Sequence, residues 1–173
     1  MGSKTITSFL RIFFLLFLQA LVVSRMQLLD GFVLPWVYIF GILMLPFETP
    51  KWVVLVLSFL TGYFMDLFMG PMGMHMTACV VLGWLQPMVQ RLLSPREGYD
   101  AIQEPTIQKM GLSWYLTYAG ILTFCHHFVL FYAETLRITP FWYQLGHIIF
   151  SALGTLVLLV IGQYLIFNKK VRN

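Results

Sequence analysis

Phe59-Leu60-Thr61-Gly62-Tyr63-Phe64-Met65-Asp66-Leu67-Phe68-Met69-Gly70-Pro71-Met72-Gly73-Met74-His75 places one acid inside an otherwise apolar helical run. Asp66 is the only carboxylate well inside any long apolar stretch of the chain. At the centre of a bilayer an ionised Asp costs about 2.5–3.5 kcal/mol on insertion scales, so such a residue normally faces protein, water or a partner. Ser58, Gly62 and Asp66 recur at every fourth position and share one face of a helix. Small residues at that spacing let another backbone approach closely, which predicts that Asp66 points into a packed interface. The alternative is an Asp near the membrane surface that caps a helix or is simply solvated.

Working outward, the rest of the chain is just as apolar. Of its 173 residues 59% are hydrophobic and 10% charged, and the mean hydropathy is +0.80, far outside the range of soluble domains. The apolar residues come in long unbroken runs, not in the alternating segments of about ten residues that a β-barrel needs. An all-α, polytopic membrane protein follows. The formal charge of +4 would suggest nucleic acid in a soluble protein, but its distribution along the chain reports topology instead, and no nucleic-acid partner is expected. Cys79 and Cys125 lie in apolar runs without metal-like spacing and read as buried small hydrophobes. Met1-Gly2-Ser3-Lys4 and the run after it resemble a signal peptide, yet no small-x-small cleavage site follows, so a retained first helix is expected. Ile6 stands where a myristoylation signal needs Ser or Thr.

A span needs about 20 apolar residues at about 1.5 Å rise each. That ruler predicts six, over 5–24, 32–47, 52–69, 74–93, 112–132 and 141–167, in a single transmembrane domain. Arg11, near the start of the first, is expected to snorkel toward the headgroups. The second is short and bracketed by Pro35 and Pro46; Gly70-Pro71-Met72-Gly73 turns the third into the fourth as a tight hairpin. Residues 94–109 carry Arg96, Glu97, Asp100, Glu104 and Lys109 beside Pro95 and Pro105 and must leave the membrane. This loop reads either as a contact surface or as a solvated mixed-charge segment. Lys4, Lys51, Arg91, Arg96, Lys109, Lys169, Lys170 and Arg172 fall on one side, against Arg25 and Arg137 on the other. The positive-inside rule then puts both termini in the cytoplasm. Five spans, with the second failing to cross, is the competing topology.

Alternating directions bring distant polar residues to one depth. Asp66, His75, His126, His127 and His147 all fall in the outer half, with Glu134, Arg137 and Arg25 at or beyond that surface. On the last span His147, Ser151 and Thr155 form a polar stripe beside Gly146, Gly154 and Gly162; on the fifth, Gly120, Thr123 and His127 share a face. An intramembrane acid needs a partner, so a hydrogen bond from Asp66 to His127 or His147 is expected. The alternative is that each histidine separately satisfies a backbone carbonyl or reaches headgroup water. No His-x-x-x-His occurs, and adjacent His126 and His127 point about 100° apart, so no metal or other cofactor is expected. Gly-x-Ser-x-Gly, His-Glu-x-x-His, a P-loop and a paired intramembrane Asp are all missing, and no enzymatic role is expected. Trp36, Trp52, Trp114 and Trp142 sit at span ends as interfacial anchors.

On these residues the chain resembles the bacterial rod shape-determining protein MreD family, in its Bacteroidetes-type form. The resemblance covers nearly the whole chain: its length, span count and charge topology, Pro35 and Pro46 at the ends of the second span, Phe59-x-x-Gly62-x-x-x-Asp66 followed by Gly73-x-His75, and Leu92-x-x-Pro95-Arg96-x-Gly98-Tyr99. Tyr63 stands where the family often has Leu. The resemblance implies a non-enzymatic component of the cell-elongation machinery in the bacterial inner membrane. Its partners would be MreC and, in a larger complex, the elongation penicillin-binding transpeptidase, RodA and MreB. It also implies a partner-binding or structural motif of Pro35, Phe59, Gly62, Asp66, Gly70, Gly73 and His75, beside the outer polar cluster of His127, His147 and Ser151 that depth and spacing already gave. Gly62, Asp66 and the turn at 70–75 are expected to shape a surface for a partner's transmembrane helix. The family is similar in fold to the S components of energy-coupling-factor vitamin transporters, which supplies an alternative in which the outer cluster lines a vitamin pocket. The Ala-x-x-x-Ala docking helix of such components is missing, since the first span has Ala20 alone. A third reading is a scaffold in which Asp66 serves folding only.

Overall fold

Where apolar runs carry no breaker the chain is helical, and where Pro35 and Pro46 interrupt them it is largely not, although the helix at Met74–Leu92 continues through Pro87. The computed structural model describes residues 2–26, 28–70, 72–100, 103–134 and 140–167, the side chains of residues 2–5 and of Glu134 excepted. Pro71, Arg137 and the basic residues Lys169, Lys170 and Arg172 therefore lie outside the described residues, as do the side chains of Lys4 and Glu134. In chain order the helices are α1 (Gly2–Leu21), α2 (Phe40–Leu43), α3 (Lys51–Met69), α4 (Met74–Leu92), α5 (Ile107–Met110), α6 (Leu112–Glu134) and α7 (Phe141–Phe167). Short 3-10 turns at Val23–Arg25 and Val37–Ile39 extend α1 and precede α2. Among the described residues there is no strand, only an isolated bridge between Leu28 and Val33.

Four stretches, Ile6–Arg25, Lys51–Met69, Leu112–Ala133 and Phe141–Phe167, are long and apolar enough to cross a membrane. The chain is an all-helical, multi-pass membrane protein. α4 matches α3 in length at 19 residues but carries Gln86, Gln90 and Arg91, and it packs antiparallel to α3 on one side and α6 on the other. Gln86 and Gln90 both reach Tyr118, and Trp114 Nε1 donates to Leu93 O. α6 and α7 form a second antiparallel pair, with Gln144 Nε2 donating to Phe131 O and Phe131 against His147.

The helix expected over 32–47 is not there. Between Val33 and Leu45 only the turn Val37–Ile39 and the four residues of α2 are helical. Pro35 supplies no N–H and disfavours helical backbone at Leu34, and Pro46 ends the run. The segment nonetheless runs along the bundle: Phe32 packs against Tyr143, His147 and Phe150 in the first half of α7, while Phe47 stacks on Tyr99 and meets Trp114, at the start of α6, edge-on. Tyr38, Ile39, Ile42, Leu43 and Met44 along it are completely buried.

Two further expectations need correction. Arg11 does not snorkel: its side chain is 9% exposed and Nη2 lies 2.7 Å from Glu104 Oε1, with the guanidinium also 5.9 Å from the Phe167 ring. The Glu104 carboxylate offsets part of the cost of burying this guanidinium. Residues 94–109 are not a freely solvated loop either. Thr106 and Ile107 are buried, Tyr99 donates to Gln90 O, and burial raises the Tyr99 pKa above its ordinary value. The segment folds back beneath the helix ends because Glu104 is held by Arg11 and the Ile107 N–H by Gln163.

Candidate functional site

Backbone that is not helical leaves N–H and C=O groups that lipid cannot satisfy, so it is tolerated at membrane depth only when buried in protein. Here the surrounding helices supply the missing partners from their side chains. Gln19 of α1 donates to Pro35 O at 3.1 Å and accepts from Val37 N at 2.8 Å. Ser151 and Thr155 of α7 accept from Leu34 N at 3.0 Å and Trp36 N at 2.9 Å. Gln86 of α4 donates to Ile42 O at 3.1 Å and Tyr118 of α6 to Leu43 O at 2.9 Å. Each of these polar residues sits in an apolar helix because a backbone group of the central segment stands opposite it.

The Thr155 hydroxyl also lies 2.9 Å from His127 Nε2, and His127 Nδ1 lies 2.8 Å from Thr123 O. A carbonyl only accepts, so Nδ1 of a neutral ring carries the proton and Nε2 is left to accept from Thr155, for whose one proton Ser151 O at 2.8 Å also competes. One directed chain results, from Trp36 N–H through Thr155 and His127 to Thr123 O.

Tyr38 is a second hub. Its hydroxyl lies 3.0 Å from His75 Nδ1, 2.8 Å from His126 Nε2 and 3.5 Å from Cys79 Sγ. A phenol has one proton, so it can donate to only one of the two imidazoles, and the other must donate to it. His126 Nδ1 is buried and unpartnered. If His126 Nε2 donates to Tyr38, what remains at Nδ1 is a bare lone pair and not an orphaned N–H, the less costly arrangement. Tyr38 then donates to His75, whose ring stands edge-on to Trp36 at 4.6 Å. Among the described residues no three or more His, Cys, Asp or Glu are placed to hold a metal ion.

The expected bond from Asp66 to His127 or His147 is not formed. Asp66 instead caps α4: Oδ2 accepts from Gly73 N at 2.7 Å and Met76 N at 3.2 Å, and Oδ1 from His75 N at 2.9 Å. The first N–H groups of a helix have no intrahelical acceptor and lie at the positive end of its dipole, so a carboxylate there is stabilised without any side-chain partner. Ser58 and Gly62 do lie on the same packed face as Asp66, and what packs there is α4. A Cβ on Gly62 would fall 2.5 Å from both His75 O and Met76 Cα, and one on Gly83 would clash with Ser58. The face expected to receive a partner's helix is thus filled by this chain's own hairpin. Gly70 and Gly73 take φ of +123° and +103° in the intervening turn, a backbone that other residues rarely adopt.

The structure therefore brings His75, His126 and His127 together at one level as expected, with Tyr38 as the unforeseen centre. His147 lies apart from Asp66, packed on Phe131 at 4.4 Å and Phe32 at 5.5 Å. Phe59 is exposed on α3, and Pro35 is held through its carbonyl by Gln19. Tyr38, Gln19, Gln86 and the Arg11–Glu104 pair are the residues that sequence reasoning missed. For Gln19 and Gln86 the available signal was an amide side chain within an apolar helix, Gln19 in α1 and Gln86 in α4, which needs a polar partner there. The fold and site define a multi-pass helical membrane protein whose polar centre grips its own backbone. Comparison with protein-family models, with curated proteins and with solved structures gives no match for the chain.

Proposed function

We propose that this chain is a non-enzymatic, MreD-like component of the bacterial cell-elongation machinery in the inner membrane, where it binds MreC and helps organise peptidoglycan synthesis. In this reading the central segment and α4 join the four apolar helices to make six crossings, with both termini in the cytoplasm. The observation that carries it is a groove of about 570 Å3 between α1 and α3, walled by Phe9, Phe13 and Phe17 on one side and Leu60, Phe64 and Phe68 on the other. A groove this apolar at membrane depth suits a partner's transmembrane helix, because aromatic and aliphatic walls give the van der Waals contact that drives helix association in lipid. Gly62 and Asp66 act from behind, fixing α3 on α4 so that the wall is preformed. The vitamin-binding alternative has less support, because His127 and Ser151 are engaged with Thr155, Thr123 and the Leu34 backbone.

A photo-crosslinking residue at Phe13 or Phe64, with Trp84 and Leu165 on other exposed faces as controls, tests this in native membranes. Crosslinks to MreC from the first two positions alone, with RodA and the transpeptidase co-purifying, are expected. Recovery of an energy-coupling transporter module or a bound vitamin instead would overturn the reading.

A further inference from the structure

Four residues from three parts of the fold converge on one oxygen. His75 and Cys79, one turn apart on α4, and His126 of α6 all lie within hydrogen-bonding reach of the Tyr38 hydroxyl, on the central segment. Tyr38, Cys79 and His126 are completely buried; His75, in the first turn of α4, is the one of the four that reaches the surface, at 6% exposed. In the neutral set the protons run one way, from His126 Nε2 to Tyr38 Oη and from Tyr38 Oη to His75 Nδ1. His75 then keeps its ring proton on Nε2, and the Cys79 thiol, a weak donor, points its hydrogen at the same phenol oxygen from 3.5 Å.

Two ring nitrogens in this set hold a lone pair able to take a further proton, and they are not equivalent. A proton on His126 Nδ1 would create a buried N–H with no acceptor, because that atom has no partner. A proton on His75 Nδ1 would find the Tyr38 oxygen 3.0 Å away. Tyr38 could then donate neither to His75 nor to His126, whose Nε2 already carries a hydrogen. Of the groups around the phenol only Cys79 Sγ is left to accept. Titratable groups face the set from each element packed on it: the Asp66 carboxylate of α3, bonded to the His75 N–H, Cys79 of α4, and His126 of α6 with the His127 ring 5.4 Å beyond it. Asp66 is the one carboxylate among them, and it lies on the His75 side.

We propose that these four residues form a proton-operated switch, in which His75 takes up one proton from solvent and Tyr38 turns its hydroxyl from His75 to Cys79. One proton enters, none leaves, and the set gains one positive charge. Acid thereby changes how the central segment is tied to α4 while its tie to α6, through His126 Nε2, stays in place.

The test is nitrogen-15 NMR of the histidine rings in the full chain in detergent, titrated between about pH 8 and about pH 3.5, with signals assigned by their loss in His75→Gln and His126→Gln. At the alkaline end both rings should be neutral with the hydrogen on Nε2; on acidification the His75 ring alone should become doubly protonated. Cys79→Ala removes the acceptor that Tyr38 turns to, so half-protonation of His75 should need about threefold more acid. Cys79→Ser restores an acceptor and Cys125→Ala lies outside the set; both should titrate close to wild type. A His75 ring with its hydrogen on Nδ1 at the alkaline end, a His126 ring that charges first, or no uptake at His75 overturns the switch, and the wild-type spectra decide these whatever the variants do. Cys79→Ala titrating as wild type overturns the turn toward Cys79.

Discussion

The carboxylate of Asp66, in the last turn of α3, lies 2.9 Å from the backbone nitrogen of His75, in the first turn of α4. With the bonds to Gly73 N and Met76 N it ties two antiparallel helices together at their shared end. Asn cannot reproduce this, since one side of its head would present N–H to N–H. Asp66→Asn should therefore destabilise the protein by about 2 kcal/mol, read as a lower thermal midpoint in detergent and a lower steady-state level in membranes. A normal midpoint with lost partner binding would instead place Asp66 in the interface.

Gly62→Ala should be among the most damaging single methyl additions. The new Cβ would meet backbone atoms of His75 and Met76 at 2.5 Å, and backbone cannot yield as a side-chain tip can. A cost of about 1–3 kcal/mol is expected from such overpacking. Gly120→Ala is the control: its nearest neighbour would be Leu156 Cδ2 at 3.9 Å, and unfolding measurements should find it close to neutral.

Thr155→Val keeps the side chain's shape but deletes the acceptor for Trp36 N and the donor for His127 Nε2. Two buried groups lose their partners, at about 1–3 kcal/mol for an unsatisfied group. Hydrogen exchange at Trp36 should accelerate more than at Leu34, whose acceptor is Ser151.

Arg11 and Glu104 should behave as a pair. Arg11→Met alone leaves Glu104 without its cation, at a cost of about 3 kcal/mol. Arg11→Met combined with Glu104→Gln should recover most of that loss, and a double-mutant cycle on thermal midpoints measures the coupling. Additive effects would show that the 2.7 Å contact contributes nothing to stability.

Long apolar runs were legible because hydropathy reports side chains over about 20 residues, which is what a membrane helix requires. The last helix is expected at 141–167 and found at Phe141–Phe167, and α3 begins one residue before its expected start. The stretch between Pro35 and Pro46 is equally apolar, but hydropathy is blind to where backbone hydrogen bonds go. The convergence of His75, His126 and His127 was readable from alternating directions. The true partners of Asp66 were not, because a search for side chains overlooks backbone donors, although Gly73 before a helical run marks where they begin. Arg11 and Glu104 are separated by 93 positions, and neither one's surroundings announce the other.

The central segment also has an order of events written into it. Trp36 waits for Thr155, which is 119 positions later, and Leu34 waits for Ser151, 117 later. A helix can rest in lipid as soon as it leaves the translocon, its backbone already satisfied, but this segment cannot. A chain stopped short of α7 therefore leaves Leu34 N and Trp36 N without the acceptors that the complete fold gives them.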